Sequence, residues 1–316
     1  MGSQVRHIEI DPEYDGQRVD NYISRELRGV PKSLVYRLLR RGEVRVNGSR
    51  TKPTYRLRAG DRLRLPPVRE GRGSQQEAST RVLERLRSRI LHEDDDIIVV
   101  DKPSGMAVHG GSGIGYGVIE ALRQLRTDCR FLDLVHRLDR DTSGCLVVAK
   151  RRAALKRLHA ALREGGLDKR YTALLAGGMS AATIPVEARL ERQSGPGGES
   201  MVRVSAAGRP ARSVFHRRRR YTGWTLVDVD LETGRMHQIR VHAAHLGTPL
   251  AGDDRYGEHE RNREARRLGL RRMFLHAARL SLPAADGTRL TVEAPLPTEL
   301  TGFLDRLSEH HQDKES

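Results

Sequence analysis

The sequence predicts an α+β protein of two unequal domains, a small helical module with a β element followed by a larger, strand-rich domain. Three observations carry this. Helical periodicity from Gln17 gives way after Gly42 to a short β element ending at Leu65. Pro66-Pro67 and a Gly-, Ser- and Gln-rich run from Arg69 to Ser79 then break the hydrophobic pattern, as a linker does. Beyond it, short alternating apolar runs recur between a few helical stretches. The boundaries read as residues 1–66, a linker over 67–80, and a second domain over 81–316. A chain of 316 residues is ample for a buried core in each.

In the first domain a short strand is expected at Val5–Ile10. Val19, Tyr22, Ile23 and Leu27 share one helical face, and Gly29 follows as a stop. Pro31 opens a second helix with Leu34, Val35, Leu38 and Leu39 on its buried side, and Gly42 ends it. Glu43–Val46, the turn pair Asn47-Gly48 and Arg62–Leu65 form the β element; Asn-Gly permits the positive φ angles of a tight hairpin.

Charge marks this segment. The chain holds 57 Lys+Arg against 41 Asp+Glu, a net of +16, with a pI near 10.5. Residues 17–65 carry fourteen basic and four acidic residues, a net of +10. Lys32, Arg37, Arg40, Arg41, Arg45 and Arg50 lie around the second helix and the turn after it. A solvated helix face normally mixes signs, and this one does not, so these six are the expected RNA-binding residues. Arginine outnumbers lysine 50 to 7. A GC-rich genome explains that preference but not the positive balance.

In the second domain, strands are expected at Ile97–Val100, Asp168–Leu175, Met201–Val204, Ala211–Arg219, Thr225–Asp230, Arg279–Leu282 and Arg289–Glu293. Helices are expected at Val118–Leu125, Ala153–Leu162, between Gly234 and Gly247, and at Thr298–Leu307. The glycine-rich run Gly110–Gly117 has neither Gly-Lys-Ser/Thr nor dinucleotide spacing, so no nucleotide is expected there. Cys129 and Cys145 are isolated, which argues against a disulfide framework or a cysteine metal site. No apolar run approaches the length of a membrane span, and no signal pattern opens the chain. A cytoplasmic protein is expected.

The chemistry concentrates between two apolar runs, Phe131–Val135 and Cys145–Ala149. Packed elements there hold a polar connection in which Asp139 and Asp141 alternate with Arg137 and Arg140. A carboxylate shielded from water and flanked by arginine stays ionised, and such a group serves as nucleophile or base. A surface salt-bridge loop is the competing reading of the same alternation. A glycosidase pair needs one carboxyl kept protonated as the acid, and arginines beside both acids are the wrong surroundings for that.

His136-Arg137-Leu138-Asp139, two variable residues, then Thr142-Ser143-Gly144 resembles the signature of the RluA family of pseudouridine synthases, with seven fixed positions in nine. Further wording agrees: Lys102-Pro103-Ser104-Gly105 with Val108-His109, Lys169-x-Tyr171-x-Ala173, Gly234-Arg235-Met236-His237-Gln238-Ile239-Arg240, Gly252–Gly257 and Phe274–Ala277. Met236 stands where threonine is usual. The first domain resembles the alpha-L RNA-binding module of ribosomal proteins. The likeness runs from Gln17 to Leu307 and is greatest to the two-domain members that act on large-subunit ribosomal RNA.

The resemblance implies a mixed, mainly antiparallel β-sheet with flanking helices and loops, and isomerisation of uridine to pseudouridine in ribosomal RNA. It implies Asp139 as the catalytic carboxylate, Arg235 as its partner, Tyr171 beside the target base, and Arg137 filling the gap left when the base leaves the stack. It implies no cofactor, no metal, no membrane and a monomer acting on large-subunit ribosomal RNA. His237, His242 and His245 invite a zinc reading, but their spacing spreads them around a helix and no cysteine joins them. A non-catalytic ribosome-assembly factor using the basic module alone is the alternative.

Overall fold

The computed structural model describes residues 4–27, 30–68, 78–110, 115–194 and 200–315. Gly29, residues 69–77 of the expected linker and Gly111–Ile114 of the glycine-rich run lie outside them. The chain divides into two compact units, residues 1–77 and 78–316.

The first unit runs β1 (Arg6–Glu9), a single 3-10 turn (Pro12–Tyr14), α1 (Val19–Glu26), α2 (Lys32–Arg41), β2 (Arg45–Val46), β3 (Ser49–Arg50) and β4 (Arg62–Leu65). Its strands pair antiparallel in the order β1-β4-β2-β3. The helical faces read from the sequence pack on this sheet: Val19, Ile23, Val35, Leu63 and Leu65 are fully buried in one cluster. Packing of this amphipathic face, more than propensity, holds such short helices. Asn47 takes a φ of 50°, as its hairpin turn requires.

The second unit opens with α3 (Thr80–Arg87), β5 (Ile90–Glu93), β6 (Ile97–Lys102), α4 (Val118–Leu125), β7 (Asp133–Leu134), β8 (Ser143–Ala149) and α5 (Arg152–Arg163). It continues with β9 (Asp168–Ala176), β10 (Thr183–Ser194), β11 (Ser200–Val204), β12 (Arg209–Tyr221), β13 (Trp224–Leu231), α6 (Gln238–His245) and α7 (His259–Arg267). It closes with β14 (Leu275–Pro283), β15 (Arg289–Glu293) and α8 (Thr298–Glu315). One eleven-stranded sheet takes the order β11-β10-β12-β13-β9-β14-β8-β6-β5, with β15 on β14 and β7 on β8. Among the described residues β14 and β8 are its one parallel pair, so the sheet is mixed and mainly antiparallel.

Both faces are covered. Ile98, Leu146, Ala173 and Val227 point to the side packed by α4 and α6. Val99, Val147 and Leu280 point to the other, under α5. Farther along that side Leu174 and Trp224 meet Phe303 of α8. Every residue of β6 and β8 is buried, which is why those strands read as continuous apolar runs.

The sequence reading missed β5, β10 and α7. Ile184, Val186, Ala188 and Leu190 do alternate in β10, but Pro185 and the intervening charges mask the pattern. α7 is polar almost all round and buries only Asn262 and Ala265, so it carries no apolar stripe to detect. The sequence reading also missed α3, which begins at Thr80. Among the described residues no helix is long and apolar enough to cross a membrane.

Candidate active site

Asp139 lies in the loop between β7 and β8, and the backbone around it is fastened from several sides. The Val147 N–H donates to His136 Nε2 at 3.1 Å. Lys102, fully buried at the end of β6, donates from Nζ to the carbonyls of Pro103 (3.0 Å), Met106 (2.8 Å) and Arg140 (2.9 Å). The Gly105 N–H also donates to the Arg140 carbonyl, at 2.9 Å. Ser104 Oγ donates to the Asp141 carbonyl at 2.8 Å, and Arg272 Nη2 reaches the same carbonyl at 3.3 Å and Ser143 Oγ at 2.8 Å. The Lys-Pro-Ser-Gly segment is thus a clasp on the Asp139 loop, which accounts for two motifs 34 residues apart in sequence.

Gly144 completes the clasp. Its φ is 108°, and a Cβ there would stand 2.3 Å from the Ala277 carbonyl oxygen, where β8 runs beside β14. Only glycine allows both the conformation and the approach.

Across from this loop stands the start of α6. Arg240 makes two bonds of 2.7 Å to the fully buried Asp253 carboxylate, and its Nη1 is 3.5 Å from Asp139 Oδ2. Its guanidinium lies 5.0 Å from the centre of the Tyr256 ring. His237, buried and just before α6, places Nε2 3.8 Å from Asp139 Oδ2. Tyr171 on β9 is 6 % exposed. Asp139, with a side chain 28 % exposed, opens with these residues and the exposed Arg137 onto a cleft of about 2620 Å³.

One expectation is corrected. Arg235 does not pair with Asp139: it is exposed, its Nε donates to the Pro210 carbonyl at 3.1 Å, and its N–H donates to Gln238 Oε1 at 3.0 Å. The motif from Gly234 to Arg240 holds two arginines, and the backbone turns between them at His237, whose φ is 53°. Arg235 stays on the approach to that turn, while Arg240, inside the helix, faces the acid.

Residues 96–245 match the RNA pseudouridylate synthase family, and residues 17–63 match the S4 domain. The chain is 48% identical over 308 residues to ribosomal large subunit pseudouridine synthase C of Escherichia coli (strain K12), across 96% of this chain and 97% of that one. The protein of the same name from Pasteurella multocida (strain Pm70) is 48% identical over 312 residues, across 98% of this chain and 96% of that one. The chain belongs to the RluA family of pseudouridine synthases, RluC type. The solved structure of human RNA pseudouridylate synthase domain containing 4 shares its fold, with a TM-score of 0.60 at 26% identity over 72% of this chain and 95% of that one.

The chemistry of the synthase site follows from its burial. Burial, then the nearby Asp139 charge, pushes the Tyr171 phenol above its ordinary range, so it stays protonated. Burial opposes charge on Asp253, yet the Arg240 bonds hold its carboxyl below the usual value. Burial brings the Lys102 amine down to about 7. Four residues of this network, Lys102, His237, Arg240 and Asp253, were not singled out in the sequence as site residues. The available signal was Arg240 itself: an arginine on the buried face of a helix needs a buried acid, and Gly252–Gly257 supplies one.

Burial also pushes His136 and His242 down to about 4. Their unfolded values are about 6.5. The unfolded chain therefore takes up protons first as pH falls from about 6.5 toward 4, and stability drops through that window. The unfolding free energy is expected to fall between pH 7 and pH 5 by about 2 kcal/mol for each histidine, and the denaturant midpoint with it. Glutamine at His136, which keeps an acceptor for Val147, should lessen the fall. A midpoint equal at the two pH values would contradict this.

In the first unit, Arg37, Arg40, Arg41, Arg45 and Arg50 are exposed. The Lys32 side chain lies outside the described residues. Arg37, Arg40 and Arg41 line a shallow hollow with Pro31, Ser33 and Leu34.

Proposed function

We propose that this synthase isomerises uridines of large-subunit ribosomal RNA to pseudouridine, with Asp139 acting at the ribose. The observation that carries the assignment is a rigidly held carboxylate, partly open to a cleft, with a buried arginine on one side and a buried tyrosine lining the same cleft. The reaction breaks the N1–C1′ bond of uridine, turns the uracil and joins C5 to C1′. Asp139 serves as nucleophile at C1′ or as base at the 2′ carbon. Arg240 fixes its position and balances its charge. Taking the base out of the stack costs about a few kcal/mol, and stacking on Tyr171 returns roughly 1–3 kcal/mol. Arg137, exposed at the mouth of the cleft, fills the gap left in the RNA. A pure assembly factor would have no use for the Lys102 clasp or the Arg240–Asp253 pair.

No atom is oxidised and no group comes from a second molecule, so the reaction needs neither metal nor nucleotide. Dialysis against EDTA should leave turnover unchanged; a loss restored by zinc would overturn this. In this reading the enzyme is a cytoplasmic monomer whose domains are residues 1–66 and 81–316.

The first domain contributes affinity and choice of site, not chemistry. Removing residues 1–66 should weaken RNA binding and flatten its salt dependence, by about 0.7 in logarithmic slope for each single-strand phosphate that the protein no longer neutralises. Equal affinity with an unchanged slope in a salt titration would make the basic patch a bystander.

A further inference from the structure

We propose that His237 recognises the 2′-hydroxyl of the target ribose and makes the site selective for ribonucleotide over deoxyribonucleotide. The inference rests on Asp139 acting at the ribose.

The hydrogen bonds around His237 set its tautomer. Tyr256 Oη accepts from the Val202 N–H at 3.0 Å, and His237 Nδ1 lies 2.8 Å from the same Oη. If Nδ1 donated instead, the phenol hydrogen would have no acceptor among the described residues, so the phenol proton goes to Nδ1. Nδ1 is then the unprotonated nitrogen, and Nε2 carries the hydrogen. Burial favours the neutral ring that this requires.

That Nε2 nitrogen lies near the acid. Asp139 Oδ2 is 3.8 Å away, too far for a direct hydrogen bond. Nε2 has no hydrogen-bond acceptor among the described residues. Backbone geometry holds the ring there: His237 has φ 53° and ψ 20°, rare for a side chain of its size, and its side chain does not cap the helix it precedes. Such a conformation in a functional site points to a task for the side chain.

The gap has a defined chemistry. A group seated between an N–H donor and a carboxylate must accept from one and donate to the other. Phosphate, carbonyl and ring oxygens only accept, and they would face the Asp139 charge. A hydroxyl does both, and an oxygen at ordinary hydrogen-bond length from each atom fits a 3.8 Å separation. When Asp139 reaches C1′ or the 2′ carbon, the hydroxyl next to it is O2′. That hydroxyl is also what distinguishes RNA from DNA.

The test uses product RNA, which binds but has no further reaction to undergo. An rRNA fragment that the wild type modifies is made with pseudouridine at the target, and again with 2′-deoxypseudouridine. The wild type should bind the first about tenfold more tightly, the effect of one hydrogen bond to a charged group. In His237→Ala the preference should shrink, through loss on the ribose form alone, to what the bond to Asp139 supplies. Unchanged affinity for the deoxy form shows that the variant is folded. His237→Gln, which keeps an N–H donor, should retain part of the preference. Nitrogen NMR shifts of the ring should show the hydrogen on Nε2. No preference in the wild type, as water in the gap would give, overturns the inference. So does a preference undiminished in His237→Ala, or a hydrogen on Nδ1. If Asp139→Asn still formed pseudouridine, the premise would fail instead, and that result is separate.

Discussion

Asp139→Asn is expected to stop turnover while leaving fold and RNA affinity in place. Asparagine keeps the shape of the side chain and loses its charge and nucleophilicity. Removing a group that carries the covalent or proton-abstracting step costs on the order of a million-fold, about 8 kcal/mol of barrier. The loop should hold, because its fastenings are backbone carbonyls, Lys102, Ser104 and Arg272, none of which uses the Asp139 carboxylate. Asp141 is the internal control. Its side chain is 44 % exposed and pairs with its neighbour Arg140, while its carbonyl does the structural work. Asp141→Asn should lose less than about tenfold, as surface pairs contribute little. Turnover rates and RNA titrations on the three proteins decide this. An Asp139→Asn protein that loses affinity along with activity would make the residue structural.

Arg240 is expected to give the second largest loss. It holds two charges at once, Asp253 through a forked pair and Asp139 through its remaining nitrogen. Lysine retains the charge but cannot make the fork. Arg240→Lys should fold and lose about a hundredfold in kcat. Arg240→Ala leaves Asp253 buried without its partner and should also lose roughly 3–5 kcal/mol of stability. Arg235→Lys should change kcat less than tenfold, since the Arg235 side chain bonds to the Pro210 carbonyl and not to the acid. Rates and denaturant midpoints for the three variants provide the check. Wild-type activity in Arg240→Lys, or a larger defect in Arg235→Lys, would contradict the geometry.

The legibility of this molecule in its sequence follows burial. β6 and β8 are buried on both faces and read as apolar runs; α4 was read at its observed bounds, Val118–Leu125. Where burial is slight, as in α7, the pattern disappears. The loop around Asp139 was legible because it depends on fixed neighbours, Ser143 and Gly144 among them. Its partner was not, because one motif holds two arginines five residues apart. A left-handed turn at His237 decides which of them faces the acid, and side-chain spacing does not report such a turn. The contact between His237 and Tyr256 was hidden for another reason: it is a hydrogen bond between segments 19 residues apart.

The most direct test of the central claim is pseudouridine formation on large-subunit ribosomal RNA stripped of modification. The RNA is incubated with the purified full-length chain in EDTA, and pseudouridine is counted before and after. New pseudouridine at defined uridines, absent with Asp139→Asn and absent on small-subunit RNA, is the predicted result. RNA that is bound but gains no pseudouridine, or equal gain with Asp139→Asn, would contradict the account.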